Sequence, residues 1–173
     1  MINELIKEAK KGDTDAFEKI ILYYKNDLFK IAKTRLSNIE DIEDAVQETI
    51  ISVFKSLHKL KNPSKFKSWI FTILINNCNH ILKKRKTTSI FPYDFIEAEQ
   101  YTNSNINYSL NFEDLMNILE LDERTILTLY YSENYTSKEI SKILKMNDST
   151  VRNKIAKAKK KIESNLKEVE NYE

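Results

Sequence analysis

Gly12 is the only glycine in 173 residues, and it is joined by just two prolines, Pro63 and Pro92. An average chain of this length would hold about 12 glycines. Tight hairpins, glycine-rich phosphate loops and most β-rich folds need backbone positions that glycine fills cheaply, so this chain has few routes other than helices. Apolar residues recur at three-and-four spacing nearly throughout, the signature of amphipathic helices. The expected fold class is therefore all-α.

The same spacing predicts eight helices. A first over 2–11 ends at Gly12, the residue suited to a left-handed cap, and a second over 13–36 is capped by Asp13 or Thr14. A third over 40–60 gathers its acids in the first turns, where they complement the helix dipole. Pro63 then breaks the chain and starts a fourth, to residue 85. Beyond it the periodicity stops. Pro92, Asn103, Asn105 and Asn107 fall among Ser and Thr, which reads as a flexible linker over 87–111. Phe91, Tyr93, Phe95, Tyr101 and Tyr108 are more aromatics than an inert spacer needs, so the linker is expected to lie against something. Four more helices follow at 112–119, 122–131, 137–144 and 149–167. The expectation is two small helical domains, 1–86 and 112–173.

Several function classes drop out. A single cysteine, Cys78, forms no internal disulfide, which suits a reducing cytosol. Residues 1–11 lack a signal-peptide core, and the longest apolar run, residues 69–75, is far short of the roughly 20 needed to span a bilayer. A soluble, cytoplasmic chain without membrane insertion is expected. His58, Cys78 and His80 do not make a metal site: Cys78 and His80 are two apart on a helix and point away from each other. No catalytic arrangement stands out, so no enzyme, cofactor or small-molecule substrate is expected.

The formal charge of +2 hides a sorting of charges into blocks. Residues 38–48 hold five acids (Glu40, Asp41, Glu43, Asp44, Glu48) and no base. Residues 49–93 hold nine bases and no acid, and residues 137–161 hold nine bases against Glu139 and Asp148. Two basic surfaces and one acidic stripe point to two kinds of partner, although solvated helix faces alone would show some of this.

The second basic block contains a motif. Thr136-Ser137-Lys138-Glu139 is a capping box, with Thr136 able to accept from the Glu139 amide while Glu139 reaches back. The helix it opens carries Ile140, Ile143 and Leu144, a short turn (Lys145, Met146, Asn147) follows, and a second helix keeps Val151, Ile155, Ala158 and Ile162 on one face. That is helix-turn-helix spacing. Off the apolar stripe lie Ser149, Thr150, Arg152, Asn153, Lys154, Lys157 and Lys160, short polar groups suited to base edges first and lysines suited to phosphates later. A plain helical hairpin with a lysine-rich face is the bland alternative.

With residues 121–124 and 135–144 and the run Ser149-Thr150-Val151-Arg152, this stretch resembles region 4 of bacterial sigma factors of the extracytoplasmic-function (ECF) type. The resemblance implies that the domain reads the duplex −35 promoter element. The family's usual turn glycine is Lys145 here, so a lysine is expected to adopt positive φ.

Two N-terminal stretches extend the likeness. Residues 41–49 resemble region 2.2, which implies binding to the β′ clamp helices of core RNA polymerase. Independently, helical spacing buries Ile42, Ala45, Val46, Thr49, Ile50, Val53 and Leu57, leaving Asp44, Gln47, Glu48, Ile51 and Lys55 together on the other side, with Asp41 at its start. An isoleucine exposed among carboxylates fits an interface, whereas acids that merely cap the helix would need none. Residues 67–76, leading to Lys83-Lys84-Arg85, resemble regions 2.3 and 2.4, which implies reading of the −10 element on a melted strand together with the loop before the helix (Lys61, Asn62, Lys65). Phe66, Trp69, Ile70, Ile73, Leu74, Asn77 and Ile81 share the core side, while Ser68, Thr72, Asn76, Asn79 and Lys83 line another, beside Lys67. Phe71 and Trp69 are candidates to stack on bases, although Trp69 also suits the core. His80 stands where the family often has aspartate, which leaves the −10 sequence open.

The resemblance as a whole implies an alternative sigma factor with core RNA polymerase (β′ clamp helices and β subunit), promoter DNA and an anti-sigma factor as partners. A stand-alone helix-turn-helix regulator would leave the acidic helix and the fourth helix unexplained. A protein-binding adaptor would waste the recognition helix.

Overall fold

The computed structural model describes residues 1–88 and 116–170. Among these are seven α-helices and no strand: α1 (Ile2–Lys10), α2 (Thr14–Lys33), α3 (Ile39–Ser56), α4 (Phe66–Thr88), α5 (Leu121–Leu127), α6 (Ser137–Leu144) and α7 (Asp148–Glu170). The linker expected at 87–111 and most of the helix expected at 112–119 lie outside the described residues.

Local chemistry sets most of the boundaries. Gly12 takes φ +102° after α1, and the Asp13 carboxylate then accepts from the Ala16 amide at 2.9 Å to start α2. Asn38 starts α3 in the same way, accepting from the Asp41 amide at 3.1 Å. The helix expected over 40–60 is α only to Ser56, after which Leu57–Lys59 tightens into a 3₁₀ turn. Asn62 caps a second 3₁₀ turn, Pro63–Lys65, by accepting from the Ser64 amide at 3.0 Å, and α4 grows from it. The helix expected over 122–131 is α only to Leu127 and widens into a π turn over Thr128–Ser132. The Thr136–Glu139 capping box forms, and Lys145 adopts φ 54°, ψ 42° at the end of α6.

Helices α2, α3 and α4 pack around Ile20, Leu28, Ile31, Val46, Val53, Phe66, Ile70 and Leu74, all buried. Ile6 of α1 joins this core, and the Lys10 ammonium donates to the Leu60 carbonyl at 2.5 Å. In the C-terminal half Ile126, Leu129, Ile140, Ile143, Val151 and Ala158 are buried, with α5 and α6 packed on α7. The expected buried face of α3 is found, Ile50 being half-buried.

The halves also pack on each other through α4 and α6, and their apolar side chains form one contiguous core. Consequently α4 is buried on two sides. Phe71, Ile75 and Cys78, a single strip by helical spacing, are all buried, and Phe71 packs edge-on against Tyr135 with ring centroids 6.2 Å apart. Phe71 is therefore not exposed for stacking in this arrangement.

Candidate polymerase and nucleic-acid interfaces

Three surfaces hold the residues singled out in the sequence. The first is the outward side of α3, where Asp44, Gln47, Glu48, Ile51 and Lys55 are all exposed. Asp41 differs: its carboxylate meets Arg85 Nε at 2.7 Å and is largely covered. Phe54 belongs to the strip and was missed. It is 58% exposed, stands one helical turn beyond Ile51, and meets Phe17 of α2 edge-on at 5.1 Å. Its position seven residues after Gln47 was the available signal. Two large apolar side chains ringed by carboxylates and an amide form a surface that water solvates poorly and a complementary protein covers well.

The second surface is α4 with the turn before it. Lys61, Asn62, Lys65, Asn76 and Lys83 are exposed, and Ser68, Trp69 and Thr72 are half-buried. Ser68 Oγ donates to the Lys65 carbonyl at 3.0 Å and Thr72 Oγ1 to the Ser68 carbonyl at 2.9 Å, so their oxygens still offer acceptor capacity outward. Trp69 packs on Phe66, ring centroids 6.0 Å apart. Asn77, on the core side, donates to Thr49 Oγ1 at 3.0 Å and ties α4 to α3. Two members of the expected strip already hold partners within the chain, and one of them, Lys67, reaches the C-terminal half. Asn79 accepts from Arg35 Nε at 3.0 Å, and Lys67 meets Glu133 at 2.7 Å and Asp27 at 3.2 Å. Burial pushes the Lys67 ammonium down, but the Glu133 and Asp27 carboxylates more than offset it and hold its pKa above the ordinary value.

The third surface is the start of α7. Ser149, Thr150, Arg152, Asn153 and Lys160 are exposed; Ser149, Asn153 and Lys160 follow one line along the helix, and Thr150 and Arg152 lie to either side of it. Arg152 is steadied by Asp148 at 3.2 Å. Lys154 and Lys157 turn sideways toward the acidic start of α5: Lys154 lies 3.6 Å from Glu120 and 3.8 Å from Asp122, and Lys157 lies 3.2 Å from Glu120. Ala156, exposed between Asn153 and Lys160, joins the outward line and was not singled out, because an alanine gives no polar signal. The pose of α7 is fixed by Glu123, whose buried carboxylate takes Lys161 at 2.6 Å and the Glu120 amide at 2.9 Å. Short polar groups at a helix N-terminus, followed by cations one and two turns on, match a helix that enters a major groove and grips the flanking phosphates.

Among the described residues no group of His, Cys, Asp and Glu could hold a metal ion, and no helix is long and apolar enough to cross a membrane.

Known proteins carry the same pair of units. The Sigma-70 region 2 family matches residues 20–88 and the Sigma-70, region 4 family matches residues 109–162. The ECF RNA polymerase sigma factor SigW of Bacillus subtilis is 27% identical, with 98% of each chain covered. The ECF RNA polymerase sigma-E factor of Haemophilus influenzae is 26% identical, over 94% of this chain and 93% of that one. In fold, the chain is similar to the sigma factor RpoE of Bartonella quintana, solved with the anti-sigma factor NepR (TM-score 0.68, 23% identity, 87% of this chain and 96% of that one). It is also similar to CnrH, solved with the cytosolic domain of CnrY (TM-score 0.66, 18% identity, 95% and 96% covered). The two family matches leave out only residues 1–19, 89–108 and 163–173, and they fall on the helices that carry the three surfaces. The chain belongs to the sigma-70 family, as a sigma factor of the ECF type.

Proposed function

We propose that the chain is an alternative sigma factor, with the acidic and apolar strip of α3 docking on the β′ clamp helices of core RNA polymerase. The α4 strip (Lys61, Asn62, Lys65, Lys67, Ser68, Trp69, Thr72, Asn76, Asn79, Lys83) then holds the melted −10 strand, and the outward line of α7 (Ser149, Asn153, Lys160), with Thr150 and Arg152 to either side, reads the −35 duplex. Lys154 and Lys157 flank that line and reach phosphates after leaving Glu120. The observation that carries this reading is the presence, in one chain, of an exposed protein-docking strip and two separate polar and basic strips on successive helical units.

Neither DNA contact need be tight, because polymerase joins the two sites at high effective concentration. We assign 1–86 and 112–173 as the two domains, with the chain between them passing along the polymerase, where the β subunit receives the C-terminal domain. An anti-sigma factor is a fitting regulator, since two fold relatives were solved with such partners or with a cytosolic fragment. The chain works in the cytoplasm as an initiation factor and has no catalysis of its own.

A DNase footprint tests this reading. With purified core polymerase and DNA selected from a random library, the holoenzyme should protect two elements in one footprint. Protection by the chain without polymerase would favour the stand-alone regulator, and no protection in either case would leave an adaptor.

A further inference from the structure

The turn that carries Lys61, Asn62 and Lys65 is held unequally at its two ends. Its far end runs straight into α4, where Ser68 Oγ donates to the Lys65 carbonyl at 3.0 Å. Inside the turn the Leu60 amide donates to the Leu57 carbonyl at 3.1 Å, Asn62 Oδ1 takes the Ser64 amide at 3.0 Å and the Ser64 hydroxyl at 2.8 Å, and the Lys65 amide returns to the Asn62 carbonyl at 3.0 Å. These bonds set the shape of the turn without tying it to the rest of the domain. The near end has the buried Leu60 side chain, while Lys61, Asn62, Ser64 and Lys65 are exposed. Among the described residues, one hydrogen bond reaches residues 60–65 from outside the turn and α4: Lys10 Nζ donates to the Leu60 carbonyl at 2.5 Å. Lys10 is half-buried on the last turn of α1, one helical turn after the buried Ile6, and α1 packs on both 3₁₀ turns. The Sigma-70 region 2 match begins only at residue 20, and none of the three surfaces includes α1.

We propose that Lys10 is a positioning residue for −10 recognition: its ammonium, seated by α1, holds the Leu60 carbonyl and so fixes the direction in which the turn presents Lys61, Asn62 and Lys65 to the DNA strand. This role rests on the reading of the turn and the α4 strip as the −10 surface. A hydrogen bond from an ammonium is stronger than one between neutral groups. Without it the Leu60 carbonyl must find another donor, and the near end of the turn loses its polar tie to the domain.

The two kinds of DNA contact respond differently to such a loss. Phosphate contacts by Lys61 and Lys65 tolerate a shifted turn, because long lysine stems follow the strand. A base contact by Asn62 does not, because base edges demand a side chain held to within about 0.5 Å. Asn62 Oδ1 is already taken by Ser64, which leaves its Nδ2 as the donor for a base edge and makes its aim depend on the pose of the whole turn. Loss of the Lys10 bond therefore removes sequence discrimination at −10. Loss of a plain phosphate-facing charge would instead weaken all sequences alike.

The test uses holoenzyme assembled from core polymerase and the full chain, on a template selected from a random library and on copies with single −10 or −35 substitutions. Unmodified holoenzyme should discriminate at both elements. Lys10→Met, which keeps the stem and loses the donor, should cut −10 discrimination about tenfold, the weight of a hydrogen bond to a charged group. Binding to a template scrambled at −10 and discrimination at −35 should both stay within about twofold. Lys10→Arg, which keeps a charged donor, should restore most of the loss. Lys10→Gln, polar and one bond shorter, should behave as Lys10→Met does and covers the case in which Lys10→Met fails to fold. Lys11→Gln, an equal charge change at the exposed neighbour, should leave discrimination intact. In the free chain, hydrogen exchange at the Ser64 and Lys65 amides should quicken in Lys10→Gln while the amides of α3 stay as they were. Unchanged −10 discrimination in Lys10→Gln overturns the role, as does a uniform weakening shared with Lys11→Gln or a loss that Lys10→Arg does not relieve. An unmodified holoenzyme blind to −10 substitutions sinks the −10 reading and this role with it, whereas faster exchange in the turn without any change in discrimination overturns this role alone.

Discussion

Lys145 shows how one residue can be both legible and costly. It fills a turn position that favours glycine, and it adopts φ 54°. A lysine in the left-handed region carries strain that glycine lacks. Lys145→Gly should raise stability by about 0.5–1 kcal/mol, seen as a higher melting temperature, because relief of that strain outweighs the added freedom of the unfolded chain. Cys78 is a second case. Burial pushes its thiol up to about 11, with Arg35 pulling weakly the other way. Iodoacetamide at pH 8 should leave it unmodified in the folded chain and alkylate it in urea. On α7 the residue scale separates lysines that the sequence treats alike. Lys160 should reduce the salt slope of −35 binding by about one unit when replaced by alanine, and Lys154, already facing Glu120 and Asp122, by less.

At the scale of elements, helical periodicity located α1, α2, α3, α4, α6 and α7 because their apolar residues recur at three-and-four spacing, although α1 fully buries only Ile6 and α4 is buried on two sides. It was less informative about ends: the 3₁₀ turn at Leu57–Lys59 and the π turn at Thr128–Ser132 depend on tertiary contacts that no spacing encodes. Exposure on α3 was legible, since Ile51 breaks an otherwise polar face, yet Phe54 was assigned to neither face, because a large aromatic carries no polar signal of its own. Ile51→Glu and Phe54→Ala should each weaken binding to core polymerase at least tenfold, as truncations of central apolar contacts do, while shifting chain stability by no more than about 0.5 kcal/mol. Glu123 gives the opposite pattern. It is fully buried and pairs with Lys161, so Glu123→Ala should cost about 3 kcal/mol by leaving that lysine and the Glu120 amide unmet, read by denaturant unfolding.

At the scale of the whole molecule, the sequence pointed to two halves and could not show that they meet. Glu133 lies in a loop without a motif, and its partners Lys30 and Lys67 are 103 and 66 positions away, so nothing local marks them as a group. Burial of Phe71, Ile75 and Cys78 follows from the same contact. The Glu133 ion pairs with Lys67 and Lys30 also set a pH window. Burial raises the Glu133 pKa, but Lys67 and Lys30 overcome it and hold the carboxyl below its ordinary 4.5, so its contribution is full above that value and is lost as acid protonates it. Lys67 is held above its ordinary 10.5, so its contribution is full below that value and lost as pH rises through the raised one. The stability these pairs contribute, read by denaturant unfolding across pH, should be flat between those limits and fall on either side.

The central claim, that one chain links core polymerase to a promoter, is tested most directly by run-off transcription with purified core polymerase on a template selected by the holoenzyme. The unmodified chain should give a single promoter-specific transcript. Ile51→Glu should abolish it by blocking assembly, and Arg152→Ala should reduce it while leaving assembly intact. No transcript from any selected template, or a transcript indifferent to both substitutions, would contradict the account.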